Sequence, residues 1–214
     1  MNDLSAVPDH SIGHDRTGGA AMAVCRAWPR EVLPATTERF GEVATLLGRG
    51  NNGCWCLYWR LASGEFNRVP DRPGKVRELL AGDPAPGLLA YLDETVVGWC
   101  GLGPRSQMGR LARSRTIPAV DDLPVWSVTC FVVRTGFRRK GVARALLASA
   151  VSYAAEHSAP ALEGYPIDPA GARVSTAFAY VGTTSMFEAA GFHRVMQTNA
   201  HSASLPRWLM RRTF

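Results

Sequence analysis

The sequence FRRKGVARALL, at residues 137–147, places four cationic side chains around Gly141 within its first eight residues. It follows the run VWSVTCFVV (125–133), whose valine and aromatic content predicts a β-strand. It also opens an apolar stretch that recurs at helical spacing to about His157. The chain is therefore expected to pass from a strand into a helix through a basic loop that contains a glycine.

This junction has the features of a phosphate site. The first turn of a helix has backbone N–H groups without intrahelical acceptors, and it carries a partial positive charge. Gly141 allows the backbone to approach a ligand closely, while Arg138, Arg139 and Lys140 supply positive charge. The combination predicts a cradle for a pyrophosphate group.

Two common phosphate motifs do not account for the loop. Gly136 and Gly141 have the glycine spacing of a P-loop, but Val142-Ala143 follows where Lys-Ser or Lys-Thr is required. The dinucleotide motif G-x-G-x-x-G is also missing here. The pattern that remains is R-x-x-G-x-A, from Arg138 to Ala143.

Length and composition indicate an ordinary globular chain. The 214 residues are 46% hydrophobic and 20% charged, which suits a single domain. Residues 1–20 are polar and are predicted to be a disordered tail, so that 21–214 form the domain. No stretch has the pattern of a secretory signal or a membrane span, and no membrane association is expected.

The charge and the cysteines bear on possible partners, on the cellular compartment and on metal binding. The net charge of +6 is almost all arginine, spread along the chain without the basic block of a nucleic-acid tail. Five cysteines show no disulfide framework, which favours a reducing cytoplasm. Cys54 and Cys56 lack a second Cys/His pair at suitable spacing, so no metal is expected.

Further elements are read from periodicity and turn signals. They are a strand at 23–29, a helix at 35–47, CWCLYWRL (54–61) as a buried strand or substrate wall, a helix at 71–81, a hairpin at 88–103, a loop at 104–122, a strand at 161–167, a helix opened by a Ser185–Glu188 capping box and ending at Gly191, and strands at 192–198 and 207–214. This order predicts a layered α/β or α+β fold.

Three stretches carry a resemblance to a known family. From Val133 the chain reads V-x-T-x-F-R-R-K-G-V-A-x-x-L-L, SMFEAAGFHRV occupies 185–195, and the hairpin ends in GWCGLG. Over about residues 24–200 the sequence resembles the GNAT superfamily of acyl-CoA-dependent N-acetyltransferases, with Thr135 where proline is common. The resemblance implies a mixed, twisted β-sheet, splayed at its centre and flanked by helices on both faces.

The resemblance also implies acetyl-CoA as co-substrate and no metal. The backbone of Phe131 and Val133 would pair with the pantetheine arm, and amides from Arg139 to Ala143 would hold the pyrophosphate. The cofactor-binding residues implied in this way are Phe131, Val132, Val133, Arg138, Arg139, Lys140, Gly141, Val142 and Ala143.

Catalytic residues are less easily assigned. Acetyl transfer requires a base that removes a proton from the amine, and an acid can donate a proton to the leaving thiolate. Phe187 stands where the family often has a tyrosine acid, and Ser127 stands where a glutamate base sometimes occurs. Glu163 is our candidate base, in a short apolar strand. Tyr165, on the same face by strand alternation, either acts as an acid or packs. Tyr180, where asparagine is common, is a second candidate acid.

The acceptor is expected to be a small-molecule or peptide primary amine. Trp55, Tyr58 and Trp59 either line its pocket, holding a cation on their π faces, or pack in the core. Two alternatives stay open: a non-catalytic acyl-CoA-binding module, and an acetyltransferase of aminoacyl-tRNA, the one nucleic-acid partner that we retain. Homodimers are a habit of the family.

Overall fold

The computed structural model describes residues 31–48, 53–171, 179–202 and 204–214. The predicted tail at 1–20 and the predicted strand at 23–29 lie outside the described residues. The elements are β1 (Glu31–Pro34), α1 (Phe40–Leu47), α2 (Ser63–Arg68), α3 (Arg72–Leu80), β2 (Gly87–Leu92), β3 (Thr95–Pro104), α4 (Gly109–Ala112), β4 (Trp126–Val133), α5 (Val142–Glu156), β5 (Ala161–Gly164), α6 (Thr184–Glu188), β6 (His193–Ser202) and β7 (Leu205–Thr213).

One sheet contains the seven strands in the order β1-β2-β3-β4-β5-β7-β6. Every neighbouring pair is antiparallel except β4 and β5, which are parallel. Their pairing covers only Trp126–Val128 against Leu162–Gly164, while β4 continues to Val133. The sheet therefore opens at its centre, and the predicted mixed, splayed fold is confirmed.

Helices cover both faces of this sheet. Helix α5 packs on one face, where Val142, Leu146 and Leu147 join the larger apolar core. On the other face, α1 and α3 cover Leu89 and Trp99 in a second core. The predicted α/β layering is confirmed, because each amphipathic helix buries its apolar side against the sheet.

Several local predictions are confirmed by the structure. The hairpin β2–β3 turns at Asp93-Glu94, and α5 follows β4. Helix α3 contains Pro73 in its first turn, and the Asp71 carboxylate caps it by accepting a hydrogen bond of 2.9 Å from the Gly74 N–H. These features depend on residues close together in the chain, which is why the sequence pattern predicts them.

The interpretation of CWCLYWRL as a strand is wrong. Residues 54–61 form consecutive turns, in which the Leu57 N–H donates to Cys54 O at 2.8 Å and the Leu61 N–H donates to Leu57 O at 3.0 Å. Trp55 and Cys56 have φ values of 49° and 58°, which no β-strand accommodates. The strand propensity of the aromatic residues is overridden by these local bonds and by burial of Cys56, Leu57, Arg60 and Leu61, which have a helix-like and not an alternating spacing.

Two smaller predictions also differ from the structure. Helix α6 is capped by Thr183, whose Oγ1 accepts a 3.4 Å hydrogen bond from the Met186 N–H, and not by a Ser185–Glu188 box. Glu188 instead accepts from Arg194 Nε at 2.9 Å. Glu188 is therefore engaged by an arginine of β6 and is not available to the helix N-terminus. The predicted loop at 104–122 contains a 3-10 turn and the short helix α4.

Phe187 packs directly on Gly164, and this contact generates a stability prediction. A Cβ added at Gly164 would lie 2.0 Å from Phe187 Cε1 inside the core. We expect Gly164→Ala to lower the free energy of unfolding by about 1–3 kcal/mol through overpacking. Denaturant unfolding measures the effect.

The matched control is Gly41→Ala, at an exposed position of α1 where an added Cβ meets nothing within 4 Å. Alanine there is expected to raise stability by about 0.5–1 kcal/mol, because it is the better helix former. Equal effects of the two substitutions would contradict the packing argument.

Candidate active site

A cavity of about 640 Å³ lies where β4 and β5 part. Eight of the nine predicted cofactor residues line it, all except Lys140, whose Nζ lies 5.8 Å from the centre of the Phe137 ring. The other lining residues are Phe137, Arg144, Tyr180, Thr183 and Met186. The structure therefore brings the end of the predicted cofactor strand and the basic loop to one cavity.

The backbone of β4 presents a strand edge to this cavity. The Arg134 N–H donates to Val97 O of β3 at 3.0 Å. The backbone N–H and C=O of Arg134 therefore point toward β3. Because ladder groups alternate along a strand, those of Phe131 and Val133 face the opposite side. On that side Val133 O accepts a 3.1 Å bond from Arg138 Nε. An extended amide chain could pair with this edge as an additional strand does.

The N-terminus of α5 forms the second wall. Gly141 precedes it with φ 81° and ψ −2°, a left-handed conformation that favours glycine, and no side chain caps the helix. The Ala145 N–H is bonded to Gly141 O at 3.0 Å, so the amides of Val142, Ala143 and Arg144 precede the first intrahelical bond. Their residues line the cavity beside Arg138 and Arg139. The wall is thus suited to a polyanion.

Glu163 is held in a buried ion pair behind the β4–β5 seam. Its side chain is 1% exposed, and Oε1 accepts from Arg211 Nη2 at 2.7 Å and from Nε at 3.1 Å. Arg211 also donates to both oxygens of Asp121, at 2.5 and 3.0 Å. The pair links β5 to β7 and to the loop that precedes β4.

Tyr165 completes the same network. Its hydroxyl donates to Glu163 Oε2 at 3.0 Å, accepts from Arg105 Nη1 at 2.6 Å, and lies 2.8 Å from Ser127 Oγ. Burial, reinforced by the Glu163 charge, raises the Tyr165 pKa well above its ordinary value. The phenol therefore stays protonated. The Tyr165 hydroxyl thus reaches both Glu163 and Ser127, but none of the three residues lines this cavity.

Tyr180 has a different position. It belongs to a 3-10 turn, Ala179–Val181, and lines the larger cavity. Burial raises the pKa of its hydroxyl, and the positive charge of Arg207 opposes that shift. Of the three residues predicted to be catalytic, Tyr180 is the one that lines the cavity.

The aromatic segment contributes to a smaller cavity of about 340 Å³. Tyr58 and Trp59 line it together with Arg110 and Arg113. Trp55 does not, since its ring packs against Gly48 in the core over α1. The Arg110 guanidinium lies 4.1 Å from the centre of the Tyr58 ring, so an arginine of the protein itself occupies a face of this ring.

Cys130 lies on β4 and Cys56 lies close to it. Cys56 Sγ is 2.4 Å from the position that a Cβ on Gly101, the cross-strand partner of Cys130, would take. A hydrogen bond from the Cys130 thiol lowers the Cys56 pKa to about 7, and burial opposes this shift. The described cysteines Cys54, Cys56, Cys100 and Cys130 are all free thiols. Within the described ranges, no cluster of three His, Cys, Asp or Glu side chains is arranged to hold a metal ion.

Sequence reasoning did not identify the buried arginines that surround Glu163 and Tyr165. Arg105, Arg207 and Arg211 are each less than 9% exposed. The signal available in the sequence was RWLMRRTF, in which arginines at 207 and 211 alternate with apolar residues in a predicted strand. Charged residues on the buried face of a strand require partners, and the sequence does not show which ones.

The chain can now be assigned to a family. A family model described as "Acetyltransferase (GNAT) family" matches residues 52–165, more than half of the 214 residues. The chain therefore belongs to the GNAT acetyltransferase family and is an acyltransferase enzyme. No curated protein sequence matches the chain.

Solved structures share the fold. A ribosomal-protein-alanine N-acetyltransferase from Brucella melitensis is similar at 18% identity with a TM-score of 0.51, over 86% of this chain and 99% of that one. The NatC complex bound to Gag peptide and CoA is similar at 12% identity with a TM-score of 0.52, over 86% and 98%. A GCN5-related N-acetyltransferase from Kribbella flavida has 15% identity and a TM-score of 0.50, over 86% and 97%. At these identities the likeness establishes the fold alone. No helix of the described residues is long and apolar enough to cross a membrane.

The buried ion pair predicts a large loss of stability for Glu163→Gln. Removing the carboxylate leaves Arg211 and Arg105 buried without it, which lowers the free energy of unfolding by about 3–5 kcal/mol. The control is Glu78→Gln in the exposed Lys75–Glu78 pair, where the change is at most about 0.5 kcal/mol. Chemical denaturation of both variants measures the difference, and similar small effects would show that the buried pair is not stabilising the fold.

Asp121 is expected to make the folding stability depend on pH. The hydrogen bond from Arg211 lowers the Asp121 pKa below its usual value. A carboxyl with a lowered pKa stabilises the folded state above the unfolded pKa, and this contribution is lost as the pH falls through the folded pKa. The stability difference between wild type and Asp121→Asn is expected to be present at pH 7 and to vanish in acid. Unfolding midpoints across this range test it, and a difference that grows in acid would refute it.

Proposed function

We propose that the protein transfers the acetyl group of acetyl-CoA to a primary amine by direct attack within a ternary complex. The observation that carries the proposal is the larger cavity, where the exposed edge of β4 meets the uncapped N-terminus of α5. A strand edge suits the amide-containing pantetheine arm, and a helix N-terminus flanked by arginines suits a pyrophosphate. Both parts of coenzyme A thus find complementary chemistry in one place.

The binding roles follow from this arrangement. Phe131 and Val133 would offer backbone groups to the pantetheine amides, with Val132 between them in the strand. The amides from Gly141 to Arg144 would receive the pyrophosphate, and Arg138 and Arg139 would neutralise its charge. Lys140 lies outside the cavity lining and would contribute only through its positive charge.

The chemistry transfers one acyl group. The amine nitrogen bonds to the thioester carbonyl carbon, the carbon–sulfur bond breaks, the coenzyme leaves as a thiolate that takes up a proton, and the proton released by the amine passes to solvent water. Tyr180 is the acid that we propose for the thiolate, because it lines the cavity and its raised pKa keeps it protonated at neutral pH. Roles of Glu163 and Tyr165 in proton transfer stay predictions, which the pH dependence of kcat in Tyr165→Phe examines.

Binding of acetyl-CoA tests the cradle directly. Gly141→Asp introduces an anion at the helix N-terminus and forces a non-glycine residue into a left-handed conformation. Since each charge-assisted hydrogen bond contributes about 1.5–3 kcal/mol, we expect affinity to fall about 10- to 100-fold or more. Isothermal titration with acetyl-CoA gives the measurement.

Gly136→Asp is the matched control, because Gly136 also has a positive φ of 90° and an added Cβ meets nothing within 4 Å. Its effect on affinity is expected to be several-fold at most, since it does not line the cavity. Absence of acetyl-CoA binding by folded wild type would overturn the proposed function. Binding without turnover on a panel of amines would favour the non-catalytic module, and a steep salt dependence with aminoacyl-tRNA would favour the tRNA alternative.

A further inference from the structure

Arg207 is a buried cation without an acidic partner among the described residues. It is 3% exposed, on β7, and its Nε donates to Tyr165 O at 2.8 Å. Its guanidinium lies 5.5 Å from the centre of the Trp59 ring. Buried charges are normally paired, so an arginine that faces only a carbonyl and aromatic rings requires an explanation.

The other buried arginines differ from Arg207 in this respect. Arg211 is paired with two carboxylates, and Arg105 lies 3.7 Å from a carboxylate oxygen and donates to three further oxygens. Arg60 donates from one nitrogen to the carbonyl oxygens of two residues, Pro86 and Leu102. These contacts account for three of the four buried arginines as parts of the fold.

The terminal nitrogens of Arg207 face space that solvent reaches. Nη1 and Nη2 make no hydrogen bond to the part of the chain that the structure describes. They are also absent from the described buried side-chain atoms that are sealed from solvent and lack a hydrogen bond. Both terminal nitrogens of the guanidinium are therefore available to a ligand.

Arg207 is not among the residues that line either cavity, but it neighbours residues that do. Its guanidinium packs against Trp59, which lines the smaller cavity together with Tyr58. Burial lowers the Arg207 pKa, and Tyr180, which lines the larger cavity, is among the titratable groups close enough to influence it. Arg207 thus lies next to side chains of both cavities.

The smaller cavity is lined by positive charge, like that of Arg207. Arg110 and Arg113 line it, and no Asp or Glu is among the described residues that do so. A cationic acceptor such as a polyamine would meet these two guanidinium groups there without a counter-charge, and Arg207 beside Trp59 adds a third positive charge nearby, which is unfavourable. The aromatic rings of Tyr58 and Trp59, expected from the sequence to hold a cation of the acceptor, instead contact Arg110 and Arg207.

We propose that the acceptor amine also carries an oxyanion, a carboxylate or a phosphate, and that Arg207 is the residue that binds it. The planar guanidinium offers two parallel donors that match either group, and Arg110 and Arg113 add positive charge at the cavity wall. This inference rests on the proposed acetyl transfer, because it specifies the acceptor for that reaction. It makes Arg207 a specificity-determining residue.

Matched amines test the proposal without any substitution. The probes are 4-aminobutanoate, 3-aminopropylphosphonate and 4-aminobutanamide, together with glycylglycine and glycylglycinamide, each added to wild type with acetyl-CoA and followed by release of the free thiol. We expect kcat/KM to be about 10- to 100-fold higher for an oxyanion probe than for its amide, as befits a hydrogen bond to a charged group. The phosphonate arm separates a phosphate site from a carboxylate site.

Arg207→Gln is the decisive variant. It should raise KM for the preferred oxyanion probe by about 10-fold or more and leave KM for the matched amide nearly unchanged. Arg207→Lys should restore part of the discrimination. The control is Arg212→Gln, which lies on the opposite face of β7 by strand alternation and should leave the ratio unchanged. Thermal unfolding and acetyl-CoA titration of each variant confirm that the fold and the cofactor cradle persist.

The outcomes separate this inference from the proposed function. Failure of wild type to bind acetyl-CoA removes the proposed function and this inference with it. Acetyl-CoA binding with equal or better turnover of the amide probes overturns the oxyanion proposal alone. Absence of turnover, with no calorimetric binding of any oxyanion probe to the CoA-loaded protein, also overturns it. If Arg207→Gln does not fold, the ratio of kcat/KM between each oxyanion probe and its amide in wild type still tests the oxyanion proposal.

Discussion

The site depends on one geometric constraint, which is that β4 pairs with β5 over only three residues. A register shift near Thr129 bends β4 just where the pairing ends, and β5 ends at Gly164, two residues before Pro166, which has no N–H to donate. The chain beyond Val128 therefore keeps one ladder edge without a strand partner. An edge of this kind, enclosed within the protein, is a binding surface for an extended chain.

The two sides of this opening have different physical roles. Toward α5, the uncapped helix N-terminus and the arginines of the preceding loop form a positive wall. Behind the seam, Glu163, Tyr165 and Arg211 form a buried network that connects β5, β7 and the loop before β4. Such a network is favourable only when each member is satisfied, and its many bonds fix the position of the parted strands.

Arginine serves several purposes in this chain, which explains why a net charge of +6 was uninformative. Arg60, Arg105 and Arg211 are held by carbonyl or carboxylate oxygens and stabilise the fold. Arg138 and Arg139 lie at the mouth of the larger cavity. Arg207 is buried without such an oxygen at its terminal nitrogens. The same residue type is thus structural or ligand-directed according to its partners, and partners are a property of the folded chain.

Local patterns in the sequence were sufficient for the strand–loop–helix unit around Gly141, the β2–β3 hairpin and the helix at 71–81, because each is set by residues near one another along the chain. The residues that we propose for the cofactor belong mainly to the first of these units. Turns at residues 54–61, the Glu163–Arg211 pair and the place of Arg207 beside Tyr165 and Trp59 were not predictable from local patterns. The partners of the two arginines are distant in sequence, 48 residues apart for Glu163 and Arg211 and 42 for Tyr165 and Arg207. Burial and long-range pairing choose among conformations that local propensity leaves nearly equal in energy.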